Sequence, residues 1–254
     1  MASLYQRAVN CRACPFLLWG GLTKAIPWIS IDKMTGKDRK DFRPEAAIFD
    51  MDGLMLETEA PFAPAWVQAG KEAGYDIGPE IIQATIGIDG EGTRRILTEK
   101  FGPDFPLRKI WDQVIRLVTE DFERGIALKP GLIALLDHLS EKKIPVGVAT
   151  STRRDGALWK LTKAGIEDRF EIITCGDEVV NGKPAPDIFL LAARRMGVDP
   201  SICVGFEDSP PGLLGLHRAG IASVFVKDQV QPSPEILATV WKTYPDLGQA
   251  LELF

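Results

Sequence analysis

The chain has 254 residues, 45% hydrophobic and 26% charged, with 30 Lys and Arg against 35 Asp and Glu and a formal net charge of −5. That is an ordinary globular composition, with room for one large domain or two small ones and a core that needs no disulfide staples. A mildly acidic chain without a long basic run gives no electrostatic case for nucleic acid, and no apolar block is long enough to span a membrane.

The cysteines are Cys11, Cys14, Cys175 and Cys203. Cys11 and Cys14 form one C-x-x-C without the second pair that a zinc ribbon needs, and Cys203 stands in an apolar run as a small buried hydrophobe. This usage suits a reducing, cytoplasmic setting. Residues 1–31 carry Arg7, Arg12 and Lys24 but no acid, and include the apolar run 15–22. A targeting leader is one reading. The preferred one, given no clear small-residue cleavage site, is an appended stretch ahead of Met34. Either way, residues 1–43 are expected to form an N-terminal extension outside the catalytic core.

Short apolar runs rich in β-branched residues, at 46–49, 144–149, 171–174, 202–205 and 222–226, read as buried strands. Helical patterns alternate with them. Segment 131–139 precedes the second strand and 157–164 follows it; 186–196 precedes the fourth and 211–219 follows it. Such alternation predicts a doubly wound α/β core with a parallel sheet covered on both faces. Segment 58–128 interrupts the pattern and contains no convincing strand. Leu107, Ile110, Trp111, Val114, Val118 and Phe122 recur at helical spacing, and Phe62, Trp66 and Ala73 mark an earlier helix. Gly74, Gly78, Pro79, Gly87, Gly90 and Gly92 divide the stretch into short helices. An inserted helical domain over 58–128 follows, with the core over 44–57 and 129–254.

Chemistry gathers where the strands end. Asp50 and Asp52, in the run Phe49-Asp50-Met51-Asp52-Gly53, close the first strand with two carboxylates on one side. Ligands of open α/β sheets bind beyond the carboxyl ends of strands. Two adjacent anions need a positive partner, and a hard cation such as Mg²⁺ suits oxygen ligands. A surface turn is the plainer alternative for D-x-D-G alone. Thr150 and Ser151 follow the second strand, where a hydroxyl and backbone N–H groups can hold a phosphate oxygen or merely cap a helix. Lys183 sits in the Pro-braced turn Gly182-Lys183-Pro184, where its ammonium could neutralise a carboxylate and a transferring phosphoryl group. Glu207 and Asp208 end the fourth strand, with Asp208 a third metal carboxylate or a helix cap.

In this order, the four elements resemble the haloacid dehalogenase superfamily. GKPAPDIF and GFEDS are similar to its β-phosphoglucomutase and sugar phosphatase branch. The resemblance covers about residues 45–226. It implies a Rossmann-like core with a mobile helical cap and a Mg²⁺-dependent phosphatase acting on a small phosphorylated metabolite. Asp50 would be the nucleophile and Asp52 the general acid/base. Thr150, Ser151 and Lys183 would bind the phosphoryl oxygens. The metal would be held by Asp50, the backbone carbonyl of Asp52, Asp208 and, directly or through water, Glu207. Asp52 argues against dehalogenation, because a halide needs no acid to leave.

A phosphosugar mutase is the alternative, and an inactive phosphate-binding relative a further one. Where the β-phosphoglucomutases carry a cap histidine this sequence has Phe62, and Gly87-Ile88-Asp89-Gly90-Glu91-Gly92 offers no arginine. Glu57 stands where relatives often carry Asp, and Arg94 and Arg95 read as solvated helix residues. A phosphorelay receiver would lack the insertion. A histidine hydrolase is disfavoured because His138 and His217 lie away from the motifs.

Overall fold

The computed structural model describes residues 42–85 and 90–254. The Cys11–Cys14 pair, the basic leader and residues 86–89 of the glycine-rich turn lie outside the described residues.

The first strand, β1 (Ala46–Phe49), is buried along its whole length. Helices α1 (Phe62–Glu72), α2 (Pro79–Thr85), α3 (Gly90–Phe101) and α4 (Leu107–Glu123) come next. The chain then runs through α5 (Leu132–Glu141), β2 (Val146–Thr150), α6 (Arg154–Lys163), β3 (Ile172–Cys175) and α7 (Asp187–Met196). β4 (Cys203–Glu207), α8 (Pro210–Arg218), β5 (Ala222–Val226), α9 (Pro234–Leu237) and β6 (Lys242–Tyr244) follow, and a 3-10 helix, Leu247–Leu253, closes the chain.

The strands form one sheet in the order β3-β2-β1-β4-β5-β6, and every neighbouring pair is parallel. This is the doubly wound arrangement, with its switch point between β1 and β4. Alternation along β1 shows how both faces are covered. Ala47 and Phe49 pack with Leu132, Leu135 and Val148, whereas Ala46 and Ile48 pack with Ile188, Phe189 and Leu216. A strand buried on both sides reads as a continuous apolar run, which is why β1 and β4 were visible in the sequence.

Three local expectations need correction. The second strand starts at Val146 and takes in Thr150. Pro145, lacking an N–H, meets Ala47 only through its carbonyl, at 3.0 Å. Gly92, read as a break, lies within α3, whose first residue is Gly90. The short edge strand β6 was not expected; two of its three residues are exposed, so it lacks an apolar run.

Two chain segments join the helical insertion to the sheet, and they run side by side. Leu56 and Leu128 form an antiparallel bridge. The Glu57 N–H donates to the Ala127 carbonyl at 2.9 Å, and the Lys129 N–H to the Met55 carbonyl at 2.9 Å. Within the insertion, Trp111 lies 6.1 Å from Phe62 and 5.6 Å from Trp66, so α4 packs on α1 through its aromatic stripe.

Candidate active site

Asp50 follows β1 directly, and its N–H continues the ladder to the Phe206 carbonyl at 3.0 Å. The Phe49 ring stacks on Phe206 with centroids 4.8 Å apart, which fixes the ends of β1 and β4 side by side. Asp50 and Glu207 are therefore neighbours. The Lys183 ammonium joins them, bonding Asp50 Oδ1 and lying 2.5 Å from Glu207 Oε1. It also sits 5.0 Å above the Phe189 ring, a buried face that favours a cation. Burial opposes its charge, but the two carboxylates outweigh burial and hold the Lys183 pKa well above its usual value. The peptide between Lys183 and Pro184 is cis.

Glu207 is fully buried. Its other oxygen, Oε2, accepts the N–H of Asp208 at 3.1 Å, the N–H of Ser209 at 3.0 Å and the Ser209 hydroxyl at 2.9 Å. Gly212 makes this seat possible, since a Cβ there would overlap the Glu207 carboxylate. Ser209 is the N-cap of α8, accepting from the Gly212 N–H at 3.2 Å. The capping role considered for Asp208 thus falls to its neighbour.

Asp50, Glu207 and Asp208 each offer an oxygen, and these atoms lie within 4.8 Å of one another. Burial, with Asp50, Glu207 and Asp228, pushes the Asp208 carboxyl up to about 9. Burial also raises the Asp50 pKa against the pull of Lys183. One ammonium does not balance three crowded carboxylates. A dication with oxygen preference fits this donor set and would relieve the repulsion. Gly53 keeps the approach open: its φ is +80°, and a Cβ would collide with Asp208 and lie 3.1 Å from Asp228 Oδ2.

The Asp52 side chain is not part of that group. Its Oδ1 lies 2.5 Å from Lys160 Nζ, and its Oδ2 accepts the Thr152 hydroxyl at 2.6 Å. Thr150 is buried, and its Oγ1 accepts the Thr152 N–H at 3.1 Å. Ser151 is exposed at the head of the turn into α6. Neither caps that helix, whose N-cap is Arg153. His138 lies on α5 and His217 on α8, and neither belongs to the carboxylate group.

Sequence reasoning missed three residues around this centre. Thr152 was passed over beside Thr150 and Ser151. Asp228 lies two residues beyond β5, so its position near a strand's carboxyl end was the available signal. Lys160 shares the buried stripe of α6 with Ala157 and Leu161, and a lysine on an apolar stripe implies a buried anion.

A family model for haloacid dehalogenase-like hydrolases matches residues 44–220. The chain belongs to this family. The hydrolase is 38% identical over 192 residues to a Drosophila melanogaster protein named as a probable pseudouridine-5'-phosphatase, spanning 71% of this chain and 80% of that one. It is 33% identical over 185 residues to the fructose-1-phosphate phosphatase YqaB of Escherichia coli, spanning 71% and 95%. Among solved structures, a candidate β-phosphoglucomutase from Thermotoga maritima superposes with a TM-score of 0.72 at 28% identity, covering 82% of this hydrolase and 97% of that chain.

Proposed function

We propose that this hydrolase is a Mg²⁺-dependent phosphatase of a small phosphorylated metabolite, a sugar phosphate or nucleotide-like ester, working through an aspartyl-phosphate on Asp50. The observation that carries the reading is the meeting of Asp50 with Lys183 and with the Glu207 and Asp208 carboxylates at the switch point of the sheet. The relatives' names support the ester class.

Asp50, Glu207 and Asp208 would hold the metal, joined by the backbone carbonyl of Asp52. When bound, Mg²⁺ would draw negative charge from the phosphoryl oxygens and ease an anion's approach to a dianion. An Asp50 oxygen attacks phosphorus, the P–O bond to the metabolite breaks, and the leaving oxygen takes a proton from Asp52. Water then attacks the acyl phosphate, gives its proton to Asp52, and frees inorganic phosphate and Asp50. Thr150 and Ser151, with the N–H groups of their turn, and Lys183 stabilise the transferring oxygens. Segment 58–128 is the cap that would close over the reaction. Phe62, packed on Trp111, leaves no histidine at the position a mutase would use, which favours water as the final acceptor.

The test is phosphate release from a panel of sugar, polyol and nucleoside monophosphates with Mg²⁺ and then with EDTA. Release from one ester class that EDTA abolishes is expected. Turnover undiminished by EDTA would overturn the metal assignment, and isomerised sugar phosphates without phosphate release would overturn the hydrolase reading.

A further inference from the structure

Lys160 belongs to none of the motifs that mark the site. It lies on α6, and its side chain is 9% exposed. Removing an ammonium from water is costly unless an anion meets it. Between Ala157 and Leu161, a methionine or leucine would pack at lower cost. The lysine instead reaches Asp52, far away in sequence, at 2.5 Å. Thr152, from the turn that opens the same helix, holds the other Asp52 oxygen at 2.6 Å. The carboxylate is gripped at both ends by one structural unit, the β2–α6 turn and helix.

The helix that carries this grip is itself fixed. Trp159 packs 6.3 Å from Phe122 of α4. Arg154, at the first turn of α6, donates to both Glu178 oxygens at 3.1 Å and to the Ile173 carbonyl at 2.6 Å. Position and direction of the Lys160 stem are thereby set by packing on the insertion side and by ion pairing on the sheet side.

We propose that Lys160 is a positioning residue for the reaction: with Thr152 it orients the Asp52 side chain, which as the carboxylic acid gives its proton to the leaving oxygen and as the resulting carboxylate takes one from water. This rests on the reading of Asp52 as the acid/base group. A carboxylate on a short side chain otherwise rotates about two bonds, and a proton transfer needs one oxygen aimed at its target within hydrogen-bond reach. Two fixed donors remove that freedom before substrate arrives. An ammonium has three donors, so Lys160 can keep its hold while the carboxylate shifts by a fraction of an ångström. A purely structural ion pair would fit the burial equally well, but would leave the chemistry of the leaving group untouched, and this difference can be measured.

The experiment compares Lys160→Met with the parent on two esters, 4-nitrophenyl phosphate and phenyl phosphate, by single-turnover release of the phenol. Nitrophenolate leaves without a proton, whereas phenolate is the stronger base and needs one. The variant is expected to lose about 10-fold or more on phenyl phosphate, with KM within about 3-fold and nitrophenol release nearly retained. Equal losses on both esters, or none on either, would overturn the proposal. Nitrophenol release also reports a folded site; if Lys160→Met fails to fold, Lys160→Gln is read against the same two outcomes. Asp52→Asn run alongside separates the two levels. If it shows the leaving-group signature and neither lysine variant does, only the role of Lys160 falls. If Asp52→Asn lacks the signature, the acid/base reading falls with it.

Discussion

Lys129 Nζ lies 2.7 Å from Asp228 Oδ1, joining the segment that returns from the helical insertion to the loop beyond β5. The same ammonium lies 3.0 Å from Glu57 Oε2, on the segment that leaves for the insertion. One cation therefore ties both connecting segments to the rim of the site. Burial works against its charge, but the bonds to Asp228 and Glu57 outweigh burial and raise its pKa above 10.5. A raised lysine pKa contributes stability that is fully present below the unfolded value and is lost as pH rises through the folded one. Lys129→Met is expected to lower stability by about 1–3 kcal/mol near neutral pH. Denaturant titrations at rising alkaline pH should show the gap between variant and parent closing.

Replacing Asp50 by Asn removes the carboxylate proposed to attack phosphorus but keeps the shape of the side chain. Lys183 retains Glu207 at 2.5 Å, so the buried ammonium is still paired. Phosphate release should fall by at least about 10³-fold, while circular dichroism and the thermal midpoint stay close to the parent's. Near-parental turnover would rule out the covalent route.

Gly212→Ala tests the seat of Glu207. The added methyl would overlap the carboxylate, and Glu207 is fully buried with no room to retreat. A cost of about 1–3 kcal/mol is expected from overpacking, read from the denaturant midpoint. Because Glu207 also anchors Lys183, the Mg²⁺ concentration needed for half-maximal activity should rise together with the loss of stability.

Acid stability should depend on Glu178. The bond from Arg195 comes first in holding its pKa down to about 2, against burial and with help from the Cys175 N–H and Arg154. A depressed carboxylate contributes stability above the unfolded pKa of 4.5, and that contribution fades as pH falls towards 2. Glu178→Gln should therefore flatten the decline of the thermal midpoint across that window. A decline of unchanged slope would place the acid sensitivity elsewhere.

The core was legible because β1, β4 and β5 are buried on both faces, so their residues form unbroken apolar runs. Strand β6 left no such trace, since Lys242 and Thr243 face solvent. At the site, Asp50, Lys183, Glu207 and Asp208 could be read because each stands at a strand end or a braced turn, where local sequence announces the position. Lys160 and Asp228 could not be read in the same way. An acid just past a strand and a lysine on an apolar stripe hint that something lies nearby, but which strand end or carboxylate each one faces depends on which helix crosses which strand, and no local pattern carries that. The two-bond grip on Asp52 joins residues a hundred or more positions apart and exists only once the sheet is assembled.

The bridge between Leu56 and Leu128 has a consequence for how such a chain can change over time. The insertion departs and returns through adjacent backbone, so the sheet meets it as it would meet a hairpin loop. Its length and contents put no strain on the register of β1 with β2. A segment attached in this manner can be lengthened, shortened or exchanged while the carboxylates beneath it stay in place. The insertion and the carboxylate centre are thereby free to diverge at different rates within one gene.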